Sequence, residues 1–163
     1  MKKLVALFFA VLSILTVSAQ MPGEALQPVK WSLELKMKDS KNGVIMLRAD
    51  VQKGWHLYGT VMPEDGPMAT EIKFALSKGV TLAGVLHPSV APVKINDPMF
   101  GVELNWWDKP VTFTAPVTID ASKAAGTPVS VSATVSFMAC NDVTCAPPTT
   151  ETIKAKITPA SKK

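Results

Sequence analysis

The chain has 163 residues, 47% of them hydrophobic, with 17 basic against 13 acidic side chains, and only two cysteines and two histidines. Without Lys2 and Lys3, which belong to an N-terminal leader, 15 bases face 13 acids, and there is neither a basic run nor an aromatic ladder between lysines, so a nucleic-acid partner is excluded. Residues 1–19 read as an export signal: Met1-Lys2-Lys3 is a short basic region, Leu4 to Val17 is apolar apart from Ser13 and Thr16, and Val17-Ser18-Ala19 supplies small residues before a cut. That apolar run is short for a membrane span and has no basic stop-transfer flank, and no cysteine at the cut could carry a lipid. The expected product is residues 20–163, a single domain in the periplasm, with no stable membrane insertion and in a compartment where disulfides form.

After the leader, apolar residues recur with period two almost everywhere, which points to an all-β chain. Trp31, Leu33, Leu35 and Met37 alternate with polar residues, Lys41-Asn42-Gly43 offers a turn, and Ile45, Leu47, Ala49 and Val51 form the return strand. Gly54-Trp55-His56-Leu57-Tyr58 is a short strand-like stretch. Ile72, Phe74 and Leu76 mark a third segment, and Val80, Leu82 and Val85 a fourth. Val102, Leu104 and Trp106 mark a fifth, and Val111, Phe113, Ala115, Val117 and Ile119 a sixth. Trp106-Trp107 sends one indole inward and one outward, the outer one a candidate partner contact. Stretches 59–69, 77–79, 87–101 and 121–128 are turn-rich. Seven or eight short strands, with 13 prolines placed in loops and at edges, predict an immunoglobulin-like two-sheet β-sandwich.

The seventh segment is the most regular. Val129, Val131, Ala133, Val135, Phe137 and Ala139 take the core face, and Ser130, Ser132, Thr134 and Ser136 the wet one. Cys140 inherits the wet parity, so its sulfur points away from the main core and is reachable unless a loop covers it. Asn141-Asp142-Val143-Thr144 is rich in turn formers and can return the chain antiparallel, with Cys145 across from Cys140 at a distance a disulfide tolerates. A disulfide over so short a loop removes only roughly 2 kcal/mol of unfolded-chain entropy, which makes it a weak staple. Ile153, Ala155 and Ile157 carry the returning strand inward, while Pro147 and Pro148 keep its start an edge.

The block from Cys140 to Cys145 with Pro147-Pro148 behind it resembles the redox hairpin of the N-terminal periplasmic domain of DsbD-type thiol:disulfide interchange proteins. Gly54-Trp55-His56-Leu57-Tyr58 is similar to the aromatic segment beside the cysteines in that family. Asp97-Pro98-Met99-Phe100-Gly101 is similar to its cap loop. The resemblance implies an immunoglobulin-like domain that relays reducing equivalents between a thioredoxin-like donor and periplasmic disulfide acceptors. It also implies a protein-disulfide reductase role in which Cys145 bonds the partner and Cys140 resolves the mixed disulfide, with the cap loop (Asp97, Pro98, Met99, Phe100, Gly101) over the pair and His56 and Tyr58 beside it. This chain has four residues between its cysteines where the best-known members have five. The sequence stops at Lys163, so the electron donor is expected to be a separate polypeptide.

Exchange needs an accessible sulfur and a second thiol to resolve the intermediate. Asp142 stands near the pair in sequence, but no Lys, Arg or His does, so an ordinary to raised thiol pKa is expected, with reactivity supplied by the docked partner. The alternative is a non-catalytic exported interaction module whose hairpin disulfide is structural. A copper-binding sandwich is the third class, suggested by eight methionines and two histidines. Blue-copper sites, however, need a histidine with the cysteine and none follows Cys145, so no metal or cofactor is expected.

Overall fold

A computed structural model describes residues 26–98, 100–124 and 128–158, so the expected leader and its cut lie outside the described residues. The first layer is built on a long hairpin. β1 (Val29–Met37) and β2 (Asn42–Val51) pair antiparallel from Val29↔Val51 to Met37↔Gly43. β2 also pairs with β9 (Val111–Ile119), whose five odd-numbered apolar residues are all buried while its even positions are partly or fully exposed. β5 (Val80–Leu82) and β6 (His87–Pro88) both pair with β9, and β13 (Lys156–Thr158) runs parallel along β1. The resulting order is β13-β1-β2-β9-β5.

The opposing layer is split. β10 (Val131–Phe137) lies between β4 (Glu71–Leu76) and β12 (Thr149–Lys154), and its odd residues Val131, Ala133, Val135 and Phe137 are buried. A second small sheet has the order β11-β3-β8-β7, made of β11 (Ala139–Cys140), β3 (His56–Tyr58), β8 (Val102–Trp107) and β7 (Val93–Asp97). The chain passes from one sheet to the other at Met138, whose carbonyl accepts the Tyr58 N–H at 3.3 Å. A single helical turn, α1 (Ala121–Ala124), follows β9. No helix among the described residues is long and apolar enough to cross a membrane.

Between the layers lies one large apolar cluster. Trp31 joins them, stacked on Phe113 of the first layer at 6.3 Å and edge-on to Phe137 of the second at 5.6 Å, while Trp107 meets Phe113 edge-on at 5.1 Å. The result is the expected immunoglobulin-like β-sandwich, with one layer divided in two.

Several local expectations change. The first hairpin turns over residues 38–41, ahead of the Lys41-Asn42-Gly43 turn read from the sequence. The Asp39 carboxylate accepts the N–H groups of Lys41 (2.7 Å) and Asn42 (2.8 Å), which leaves Asn42 and Gly43 free to start β2. Stretch 87–101 holds β6 and β7 as well as turns. Leu82, Val85 and Ile157 are exposed, against the inward placement expected for them: Leu82 and Ile157 lie on β5 and β13, the outer strands of the first layer, and Val85 in the connection between β5 and β6.

Leu47 is fully buried in the middle of β2. Leu47→Ala is expected to lower stability by about 2–5 kcal/mol, read as a lower urea midpoint at unchanged slope. The exposed-site control Val85→Ser should move it by less than about 0.5 kcal/mol.

Candidate redox site

Alternation along the chain sorts the residues around Met138 between two compartments. Ala139 is buried in the main core, whereas Cys140, one residue on, belongs to a second, smaller cluster with Tyr58 and Leu104. Met62, Phe100, Val102, Trp106, Met138 and Cys145 pack around that cluster. The parity reading of Cys140 therefore holds across the strand break, and the sulfur is covered: Cys140 is only 1% exposed, while Cys145 is half-buried.

Cys140 and Cys145 form a disulfide with their Cα atoms 3.9 Å apart. The backbone explains the closeness. Ala146 N–H donates to the Ala139 carbonyl and Asn141 N–H to the Thr144 carbonyl, both at 2.9 Å, so the cysteines occupy a non-hydrogen-bonded antiparallel pair, the kind in which facing residues come nearest. Asn141 closes the tip by accepting the N–H groups of Val143 (2.9 Å) and Thr144 (2.8 Å) on Oδ1. This leaves Val143 at the apex, 85% exposed.

A second hairpin tip lies against the same cluster. β7 and β8 pair as far as Asp97↔Val102, and the loop between them carries Pro98, Phe100 and Gly101; Met99 lies outside the described residues. Asp97 is buried and organises this turn. Its carbonyl accepts the Gly101 N–H at 2.7 Å and its Oδ1 accepts the Phe100 N–H at 3.2 Å. Gly101 takes φ +70°, a conformation natural to glycine, and the chain can then re-enter β8. Phe100 is half-buried, packs on the cluster and meets Tyr58 edge-on at 6.2 Å.

β3 supplies the floor. Its register sets His56 opposite Cys140 and Leu57 opposite Ala139, so His56 and Cys140 share one face and Leu57 and Ala139 the other. His56 stacks on Trp106 at 4.1 Å and meets Tyr58 edge-on at 5.4 Å. Burial pulls the imidazole below its ordinary pKa, opposed by the negative charges of Asp97, Asp142 and Asp108. The Tyr58 phenol is pushed up to about 12, by burial first and by the Asp97 charge second. Tyr58 is held through its carbonyl, which accepts the Thr70 hydroxyl at 2.6 Å. Gly59 must be glycine, because a Cβ there would lie 1.7 Å from Asn105 Oδ1. The Asn105 Nδ2 in turn donates to the Val61 carbonyl at 2.8 Å and ties down the loop that delivers Met62.

Six of the site residues singled out in the sequence thus converge on one cluster, Cys140, Cys145, Asp97, Phe100, His56 and Tyr58, while Pro98 and Gly101 shape the turn that carries Phe100. Sequence reasoning did not place Met62, Leu104 or Trp106 there. Trp106 faces the cysteine cluster, while Trp107 enters the main core and donates its Nε1–H to the Val90 carbonyl at 2.9 Å. The place beside the pair that the resemblance implies for His56 comes from the pairing of β11 with β3.

A redox-capable hairpin on a sandwich defines the class, and comparison with known proteins gives the family. The family model for the N-terminal part of thiol:disulfide interchange protein DsbD matches residues 23–157, and the chain belongs to that family. Among solved structures, the N-terminal periplasmic domain of ScsB from Proteus mirabilis has a similar fold, with a TM-score of 0.54 and 18% identity, covering 83% of this chain and 48% of that one. The chain thus matches about half the length of that structure. The comparison with curated proteins gave no match.

Tyr58 is the only tyrosine, so tyrosinate absorbance reports it alone. Its folded pKa lies above the unfolded value of 10, so the stability linked to it is complete below pH 10 and is lost as pH rises from 10 to about 12. The phenolate is expected near pH 12 in the folded protein and near pH 10 in urea. Ionisation near 10 in both would contradict the buried placement.

Proposed function

We propose that this chain is a periplasmic thiol-disulfide interchange domain that relays reducing equivalents between a thioredoxin-like donor and disulfide acceptors through the Cys140–Cys145 bond. The observation that carries this reading is the location of the disulfide. It lies outside the main core, at the end of a hairpin, with Cys140 buried and Cys145 half-buried. Attack on a disulfide is in line, so the partner thiolate reaches Cys145 and the Cys140 sulfur leaves. Cys140, held opposite, then resolves the mixed disulfide.

The short loop also suits reversibility. Its disulfide stabilises the fold by only about 2 kcal/mol, a minor part of the roughly 5–15 kcal/mol typical of a domain, so the reduced form stays folded. Phe100, with the rest of the Asp97–Gly101 loop, acts as a lid that limits access by small thiols and is displaced when a partner docks. Membership of the interchange family and the basic-apolar leader at 1–19 support export to the periplasm, with residues 20–163 as the working domain.

Trapping tests the relay. Cys140→Ser is expected to accumulate a mixed disulfide through Cys145 with a thioredoxin-like protein, and Cys145→Ser to accumulate far less. Equal and negligible trapping by both, or melting of the domain on reduction, would leave a structural hairpin disulfide as the better reading. For the lid, Phe100→Ala should speed reduction of the disulfide by dithiothreitol several-fold at unchanged thermal stability; an unchanged rate would remove Phe100 from that role.

A further inference from the structure

A polar atom buried without a hydrogen-bond partner costs free energy, and two side-chain atoms among the described residues are in that position: Trp31 Nε1 and His56 Nε2. The indole of Trp31 packs on the main core and is spent on joining the two layers. His56 differs in every respect that matters for chemistry. It is titratable and 9% exposed, and its backbone pairs with that of Cys140, so the two side chains leave the ladder on one face as direct cross-strand neighbours. Trp106 stacked at 4.1 Å and Tyr58 at 5.4 Å fix the ring.

We propose that His56 is the proton-holding partner of the Cys140 thiolate, neutral while the disulfide is closed and protonated when it opens. The proposal deepens the interchange reading of this site and rests on it for its biological purpose. In the first step a partner dithiol gives up one thiol proton, and its sulfur bonds to Cys145 Sγ and is oxidised. The Cys140–Cys145 bond breaks, and its electron pair leaves on Cys140 Sγ, which becomes a thiolate. The released proton is taken up on His56 Nε2. Atoms and charge balance, and the new anion in an apolar cluster meets an imidazolium in place of an empty cross-strand position.

The surrounding groups set the switch. Asp97 at the end of β7, Asp142 in the cysteine hairpin and Asp108 after β8 all favour the imidazolium, and Tyr58 stays a neutral phenol. Burial outweighs the three carboxylates while the disulfide is closed and keeps His56 below its ordinary value. One further negative charge at the neighbouring position reverses that balance, since an opposite charge within about 4–6 Å moves a pKa by about 1–3.

The test needs no partner protein. In a Cys145→Ser background, where Cys140 is the lone thiol, thiolate absorbance is followed against pH with His56 present and in His56→Phe, which keeps an aromatic ring against Trp106. At pH 7 the protein with His56 is expected to hold about tenfold more thiolate or better; identical titrations overturn the proposal. A second measurement avoids substitution at His56. Nitrogen-edited NMR of the unaltered protein should show the imidazole titrating at higher pH after reduction by dithiothreitol than before, and an unmoved titration overturns the proposal independently of any folding defect. Shifted titrations without mixed-disulfide trapping would sink the relay alone, whereas trapping with unshifted titrations would sink His56 alone.

Discussion

The site depends on strand alternation continuing through a break. At Met138 the chain leaves the sheet of β10 and joins that of β3, yet successive side chains still point to opposite faces, so Phe137 and Ala139 belong to the core and Cys140 to the outer cluster. A one-residue slip would put the sulfur between the sheets. Interiors there are packed to crystal density, and separating two bonded sulfurs would push on both layers. In the outer cluster the same change disturbs a few side chains that rest on one small sheet. The main core can stay intact while the bond opens and closes, which is the mechanical condition for a disulfide used repeatedly.

Two hairpin tips close over this cluster, and each is organised by a side chain that accepts backbone N–H groups of its own loop, Asn141 in one and Asp97 in the other. Their supports are alike in kind: β11, which leads into the cysteine hairpin, and β7, which leads into the 97–101 turn, are the two outer strands of one small sheet. What separates the tips is the disulfide, a covalent link across the cysteine hairpin. The covalently closed tip carries the sulfurs, and Phe100 of the other packs on their cluster.

Much of this was legible in the sequence because period two reports which face a residue takes. The five buried residues of β9, the core face of β10 and the turn between the cysteines all follow from it. Periodicity does not report which strand lies alongside, and most misses have that origin; the shifted first turn comes instead from the Asp39 side chain. Leu82 and Ile157 keep an apolar pattern on the outer strands of the first layer, and Val85 in the connection between β5 and β6, and all three are exposed. β7 was hidden in a turn-rich stretch because Val93 and Ile95 are its only regular apolar residues and both are exposed. The neighbour of Cys140 likewise lies beyond periodicity, and it was the family resemblance that set His56 beside the pair. Along the chain no basic group stands near the cysteines, and the pairing of β3 with β11 is what brings His56 across from Cys140.

The unequal burial of the two cysteines links geometry to chemistry. Cys140 is buried and Cys145 half-buried, so in the proposed exchange an incoming thiolate approaches Cys145 and the electron pair of the broken bond leaves on Cys140. A thiolate left alone in the apolar cluster of Tyr58 and Leu104 would be a poor leaving group, and a bond with such a leaving group would open slowly whatever the partner. In the proposed exchange the imidazole of His56 across the ladder changes this, with burial favouring its neutral form until the anion forms. Under the proposed exchange reactivity is conditional: low towards casual thiols while the bond is closed and Phe100 packs on its cluster, and raised at the moment when a docked partner drives charge onto Cys140.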